Sequence, residues 1–142
     1  MALQKALIEA TQFFTKDVLD SEVELFDSCP LGTAWVASIT ISGDENAEVT
    51  VHIPEKSLRQ MAMLFLCEDA PSHEVLSDLI GEIANLIVGR AKVTAAANGV
   101  NFDISTPRFH GNEEPVLAGG DPHINFLFEE EVFSITVHGN DT

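Results

Sequence analysis

The chain is poor in basic residues and in aromatic side chains that could stack on bases. It has 7 Lys and Arg against 23 Asp and Glu, a formal net charge of −16, and it contains no tyrosine. Because phosphate groups are also negative, this charge argues against binding nucleic acid or an anionic membrane surface. The nine phenylalanines and the single tryptophan are interpreted as core residues.

Cysteine and long apolar runs are also scarce. The two cysteines, Cys29 and Cys67, form no CxxC motif or Cys/His cluster, which favours reduced thiols in a cytoplasmic protein. No apolar run approaches the roughly 18–20 residues that a membrane-spanning helix needs. The first residues, MALQKALIEATQFF, lack the basic start and the small-residue cleavage site of a secretory signal. We therefore expect a cytoplasmic protein without a membrane partner.

The chain nevertheless has enough apolar residues to build a core. Hydrophobic residues make up 45% of the 142, so we expect one folded domain over residues 1–142 rather than a disordered acidic chain. The acidic excess by itself identifies no partner, because it can also serve only to keep a protein soluble.

The residue patterns predict a mixture of helices and grouped strands. Helices are predicted over 2–18, 54–69 and about 72–97, the last with Ser72 as N-cap and Asn98-Gly99 as its stop. Strands are predicted over 22–27, 33–42, 47–54 and 100–105, followed by a loop over 110–122 and two strands or one bent hairpin over 123–139. Grouped strands with few crossover helices indicate an α+β fold on a largely antiparallel sheet.

Two helical segments share a pattern that indicates an internal repeat. ALIEATQ (6–12) and LIGEIAN (79–85) each carry a glutamate followed three residues later by an amide, inside an apolar helix. Strands of similar character accompany each segment. A duplicated unit of one helix and several strands would explain both observations.

The third predicted helix carries a line of polar residues. At about 100° per residue, its leucines and isoleucines fall on one face, and Asp78, Glu82, Asn85 and Gly89 fall on the opposite one. Like charges at i,i+4 cost a few tenths of a kcal/mol, a mid-helix Asn about 0.5 kcal/mol and a Gly about 1 kcal/mol. Several residues that destabilise the helix thus lie together on this face, here called the polar stripe, and they indicate a functional surface. An ordinary solvated acidic face remains the alternative.

The segments SDLIGEIANLIVGRAK (77–92) and GVNFDISTPRFHG (99–111) resemble the signature of the CheC/CheX/FliY chemotaxis phosphatases, most closely the CheX type. The family pattern is an acid or Ser, a Glu, an Asn and a later Pro, and the matching residues here are Asp78, Glu82, Asn85 and Pro107. The resemblance implies an α+β fold with long helices packed on one face of the sheet and a pseudo-repeat.

The resemblance also implies an activity, namely hydrolysis of the aspartyl phosphate on a response-regulator receiver domain similar to CheY. Asn85 would position the attacking water, and Glu82 would pair with the receiver's active-site lysine. Asp78 would act at the margin of this contact, and Gly89 would let the partner's backbone come close. The protein would need no cofactor or metal of its own, because the Mg²⁺ belongs to the receiver. Relatives of the CheX type form dimers, so a homodimer is expected.

The resemblance leaves other functions open. The same fold could serve as a non-catalytic receiver-binding or chemotaxis adaptor module, or as a structural dimer whose acidic helix face touches nothing. The first helix has Lys5, Glu9 and Gln12 where the pattern has an acid, Glu and Asn, and it is interpreted as a decayed copy.

The five histidines include no pair at the i,i+4 spacing of helical metal ligands. Two of them, His52 and His138, lie in predicted strands, and we expect both at the surface or at a sheet edge.

Overall fold

The computed structural model describes residues 2–27, 33–113 and 123–139, which form helices and strands in an α+β arrangement. The helices are α1 (Ala2–Phe13), which continues as a π-helical segment over Phe14–Val18, α2 (Glu55–Leu66) and α3 (His73–Ala97). The strands are β1 (Glu24–Phe26), β2 (Ala34–Gly43), β3 (Ala47–Ile53), β4 (Phe102–Ile104), β5 (Arg108–Glu113), β6 (His123–Phe128) and β7 (Glu131–Gly139).

The predicted helices and strands are confirmed, with differences of a few residues at their ends. The segment over 123–139 is two strands joined by a tight turn, in which Glu129 has a φ of 56°. The predicted loop over 110–122 is wrong at its start, because β5 extends to Glu113 and pairs with the first half of β2. Residues 114–122 lie outside the described part of the chain.

The seven strands form one antiparallel sheet in the order β1-β6-β7-β3-β2-β4, and β5 pairs with β2 beside β4. At the β2–β4 junction the two backbones approach closely. A β-carbon on Gly43 would lie 2.8 Å from both the carbonyl oxygen of Asn101 and the α-carbon of Phe102, so only glycine fits. The Asp44 carboxylate of the adjoining turn accepts a hydrogen bond from the backbone N–H of Asn101 at 2.8 Å.

The strand order is symmetric about its centre, as expected for two related units that exchange their edge strands. The first unit is α1–β1–β2–β3 and the second is α3–β4–β5–β6–β7, in which β5 has no counterpart. Strands β3 and β7 pair at the centre, whereas β1 lies beside β6 and β4 lies beside β2. The sequence Thr-Val-His occurs on both central strands (50–52 and 136–138), and Thr50 pairs with Thr136. This topology supports the internal repeat predicted from the two helices.

The core lies on one face of the sheet, where all three helices pack. Alternate strand residues point into it, including Ile39 of β2, Val51 of β3 and Ile135 of β7, all 0% exposed. Nine residues of α3 join this core, which makes α3 the central helix of the layer. No helix in the described ranges is long and apolar enough to cross a membrane.

Candidate functional site

Helix α3 has one face in the core and one open face. The nine buried residues lie between Leu76 and Ala95. Asp78, Glu82 and Asn85 are exposed on the other side, and Gly89 has open space where a β-carbon would lie. The division of α3 predicted from its periodicity is therefore confirmed.

The ends of α3 are fixed by local caps. The Ser72 hydroxyl accepts a hydrogen bond from the backbone N–H of Val75 at 3.2 Å, which satisfies one of the free donors of the first turn. At the other end the helix stops at Asn98, and Gly99 takes a φ of 83°. Both predicted ends are confirmed, and these caps limit α3 to His73–Ala97.

Three of the four predicted site residues line one surface depression of about 420 Å³. Its residues come from α3 and from the segment around β5, and they are Ser77, Asp78, Gly81, Glu82, Asn85, Pro107 and Phe109. Gly89 lies outside, in an adjoining depression of about 310 Å³ that Asn85 also lines. Asn85 therefore stands at the boundary between the two depressions.

Pro107 reaches α3 because the chain that follows β4 is hydrogen-bonded to β2. The backbone N–H of Ser105 donates to the carbonyl oxygen of Thr40, and the N–H of Thr40 donates to the Ser105 hydroxyl, both at 2.9 Å. Pro107 then lies over Gly81, where an added β-carbon would be 3.6 Å from the proline Cβ. The Pro of the family pattern thus forms one wall of the depression.

The acidic side chains of the depression have no cationic partner within the described ranges. The described residues form the ion pairs Arg59–Glu55 and Lys92–Asp103, and neither pair lies in the depression. Asp78 and Glu82 are therefore unpaired, four residues apart on an exposed helix face. Such a face attracts a cationic group supplied by another molecule.

The donor and acceptor types in the depression limit its chemistry. A carboxylate only accepts hydrogen bonds, whereas the amide of Asn85 both donates and accepts. Among the described residues, no group of three or more His, Cys, Asp or Glu is arranged to hold a metal ion. The arrangement can orient a water molecule and pair with a cation.

Two features of this surface escaped sequence reasoning. Phe109 lies in the depression because it belongs to β5, a strand that the sequence did not predict, and the residue is 41% exposed. Phe65 and Leu66, at the end of α2, form a further apolar groove that Asp78 and Glu82 also line. Neither feature carries a local sequence signal, because both depend on which elements pack beside α3.

The comparison with known families covers most of this site. A family model described as chemotaxis phosphatase CheX matches residues 35–129, a range that contains α3 and Pro107. The chain belongs to the CheX family. This confirms the family resemblance noted in its sequence, and it makes the protein a member of a family of chemotaxis phosphatases.

Solved structures of related proteins share the fold of this CheX-family protein. CheX from Vibrio vulnificus is 18% identical, with a TM-score of 0.86 over 97% of this chain and 96% of that chain. The CheX–CheY–BeF3–Mg²⁺ complex from Borrelia burgdorferi is 16% identical, with a TM-score of 0.74 and 97% of both chains covered. FliY from Thermotoga maritima is 15% identical, with a TM-score of 0.63 over 99% of this chain and 85% of that chain. No curated protein matches the chain in sequence.

Proposed function

We propose that this CheX-family protein accelerates hydrolysis of the aspartyl phosphate on a CheY-like receiver domain. The observation that carries the proposal is the pair Glu82 and Asn85. Both side chains are exposed and line one open depression. Neither forms a hydrogen bond or ion pair with another described residue, so both remain available to a partner.

The chemistry needs little from the protein beyond positioning. An aspartyl phosphate is an activated acyl phosphate, so its hydrolysis depends on placing a water in line with the phosphorus. The carbonyl of Asn85 would accept a hydrogen bond from that water, and its NH₂ group would donate to a neighbouring oxygen of the receiver site. An amide side chain does not titrate, so a reaction that relies on Asn85 requires no general base with a shifted pKa.

The remaining residues of the stripe would hold the receiver in register. Glu82, one turn before Asn85, would pair with the receiver's active-site lysine. Asp78 would add negative charge at the margin of that contact. Gly89, with no atom within 4 Å of where a β-carbon would lie, leaves room for the partner's backbone.

The choice of partner is supported by a relative. The CheX of Borrelia burgdorferi is seen in a complex with CheY, BeF3 and Mg²⁺. We extend that class of partner to this chain and assign the Mg²⁺ to the receiver. The family resemblance also leads us to propose a cytoplasmic homodimer, which sedimentation of the full chain would test.

The decay of a phosphorylated receiver, with and without this protein, tests the function. Receivers encoded near its own gene are the ones to use. Faster decay with the wild type, lost in Asn85→Ala while binding persists, is the expected result. Binding without faster decay would instead favour the adaptor module, and neither effect across several receivers would contradict both functions.

A further inference from the structure

The exposed ring of Phe109 lies against a buried aromatic side chain. Trp35, the only tryptophan of the chain, is 3% exposed, and Phe109 stacks on it with ring centroids 5.6 Å apart and an angle of 28° between the ring planes. His73, the first residue of α3, lies 4.9 Å from Trp35 and meets Phe109 edge-on at 6.3 Å. Three elements, β2, β5 and α3, thus meet in this cluster.

A hydrogen-bonded carboxylate also holds the tryptophan. Its indole N–H donates to one carboxylate oxygen of Glu55 at 3.2 Å, and the other oxygen accepts from Arg59 at 3.1 Å. These hydrogen bonds lower the pKa of the Glu55 carboxyl, so the acceptor stays charged. Phe109 is therefore an exposed ring that lies against a buried, hydrogen-bonded tryptophan.

The position of Phe109 separates it from other exposed apolar side chains. Single apolar residues on a surface are ordinary, and Phe26 of β1 is also 41% exposed. Phe109, however, lines the same depression as Asp78, Glu82 and Asn85, with Pro107 beside it. Aromatic side chains are enriched at protein interfaces and contribute a large part of the binding energy there.

We propose that Phe109 anchors the receiver domain next to its phosphorylated aspartate, beside Asn85. This inference rests on the proposed function and adds a binding residue to it. A lysine side chain suits the depression, because its ammonium group can pair with Glu82 while its aliphatic stem lies against an apolar ring. The surface of the receiver around its active-site lysine is the expected occupant.

The test compares Phe109→Ala with Phe26→Ala, which removes the same residue type at the same exposure from the opposite edge of the sheet. Dephosphorylation is measured as a function of receiver concentration. For Phe109→Ala we expect KM to rise by at least about tenfold and kcat to change by less than about threefold, since an anchor acts on binding. Phe26→Ala should leave both unchanged.

A fluorescence titration gives a second measurement that does not depend on hydrolysis. The probe is a tryptophan-free receiver loaded with BeF3 and Mg²⁺, so that Trp35 is the only emitter. Because Phe109 covers Trp35, binding should change the Trp35 emission in the wild type and in Phe26→Ala. In Phe109→Ala the apparent Kd should rise by about the same factor as KM.

Loss of the stack could also destabilise the fold, so thermal unfolding of each variant accompanies the kinetics. If Phe109→Ala unfolds, Phe109→Leu carries the test, because it keeps an apolar contact with Trp35 and should show an intermediate KM. Equal KM values for the Phe109 and Phe26 variants, with an active wild type, would overturn the anchor and leave the phosphatase standing. Receiver binding that depends on Phe109, without any hydrolysis, would support the anchor and overturn the phosphatase. No binding at all would overturn both.

Discussion

The two helices of the internal repeat have the same spacing of polar residues but different surroundings. In α3, Glu82 and Asn85 line an open depression beside Pro107. In α1, Glu9 and Gln12 are also exposed, yet the regular helix ends at Phe13, one residue after the amide. A π-helical segment follows, so the next turn of α1 does not continue the line of the stripe.

The neighbouring positions differ as well. Where α3 has Gly81, against which Pro107 packs, α1 has Ile8, a branched side chain. Where α3 has the open Gly89, α1 has Lys16, a long exposed cation. We therefore expect a site on α3 and not on α1, because access for a partner should depend on the small residues around the glutamate and the amide.

The largest effect on the phosphatase rate is expected when the amide side chain is removed from α3. Asn85→Ala should reduce the phosphatase rate by about 10²–10³, the range seen when one preorganised group is removed from an active site. Gln12→Ala on α1 should leave the rate within about twofold. Single-turnover decay of the phosphorylated receiver checks both, and equal losses would show that both helices work.

Removal of the charge next to the amide should act mainly on binding. Glu82→Gln is expected to weaken receiver binding by about 30- to 100-fold, because the receiver lysine would be left without its partner. Glu9→Gln removes a charge at the equivalent position of α1 and should not weaken binding. A titration of each variant with the receiver measures this, and the difference should shrink in high salt.

The Thr-Val-His sequence of the repeat allows a comparison of stability between the two units. His52 is 6% exposed, and its Nε2 lies 3.3 Å from the hydroxyl of Thr136, whereas His138 on β7 is exposed. Burial, and then the charges of His123 and His110, lower the pKa of His52 from 6.5 to about 4. The neutral form is thus favoured in the folded state.

Because the folded pKa of His52 lies below the unfolded one, its contribution to stability is complete above pH 6.5 and is lost as the pH falls towards 4. At pH 5 the loss should be about 2 kcal/mol relative to pH 7. In His52→Gln that part of the acid destabilisation should disappear from urea unfolding curves. His138→Gln is the matched control, and an equal effect of both variants would contradict the assignment to His52.

The smallest expected effect concerns the glycine of the stripe. Gly89→Ala should raise the free energy of unfolding by up to about 1 kcal/mol, because alanine is the better helix former and nothing lies within 4 Å of the added carbon. It should also weaken receiver binding a few-fold if the partner's backbone comes close. Lys16→Ala, on α1, should not change that binding. Unchanged binding in Gly89→Ala would remove Gly89 from the proposed interface.

Sequence reasoning worked where the signal is local. The open face of α3, the Ser72 cap and the stop at Asn98-Gly99 follow from helical periodicity and capping chemistry, which depend on residues a few positions apart. Alternation predicts the strand over 47–54, and β-branched residues predict the strand over 33–42. These residue patterns alone do not reveal which strands lie side by side.

Prediction failed where pairing is long-range. The glycine-containing segment that became β5 carries little strand signal, and it is a strand because the first half of β2 offers it an edge. His52 was expected at the surface or at a sheet edge. It is buried on β3, a central strand, because a strand pattern shows neither the place of a strand in the sheet nor how well the second face is covered. The sheet face opposite the helices buries Ser38, Asn125 and Ser134 as well.

The sequence by itself determined the fold class, the family and the polar stripe of Asp78, Glu82 and Asn85. These rest on the order of the elements, on a motif within residues 77–111 and on the periodicity of one helix, all of which can be recognised without knowing the packing. The tertiary structure decided which residues meet that stripe. Pro107 and Phe109 reach α3 only because β4 and β5 both attach to β2, some sixty to eighty residues earlier in the chain. Contacts between residues so far apart arise from packing and backbone pairing in three dimensions, which no local pattern encodes.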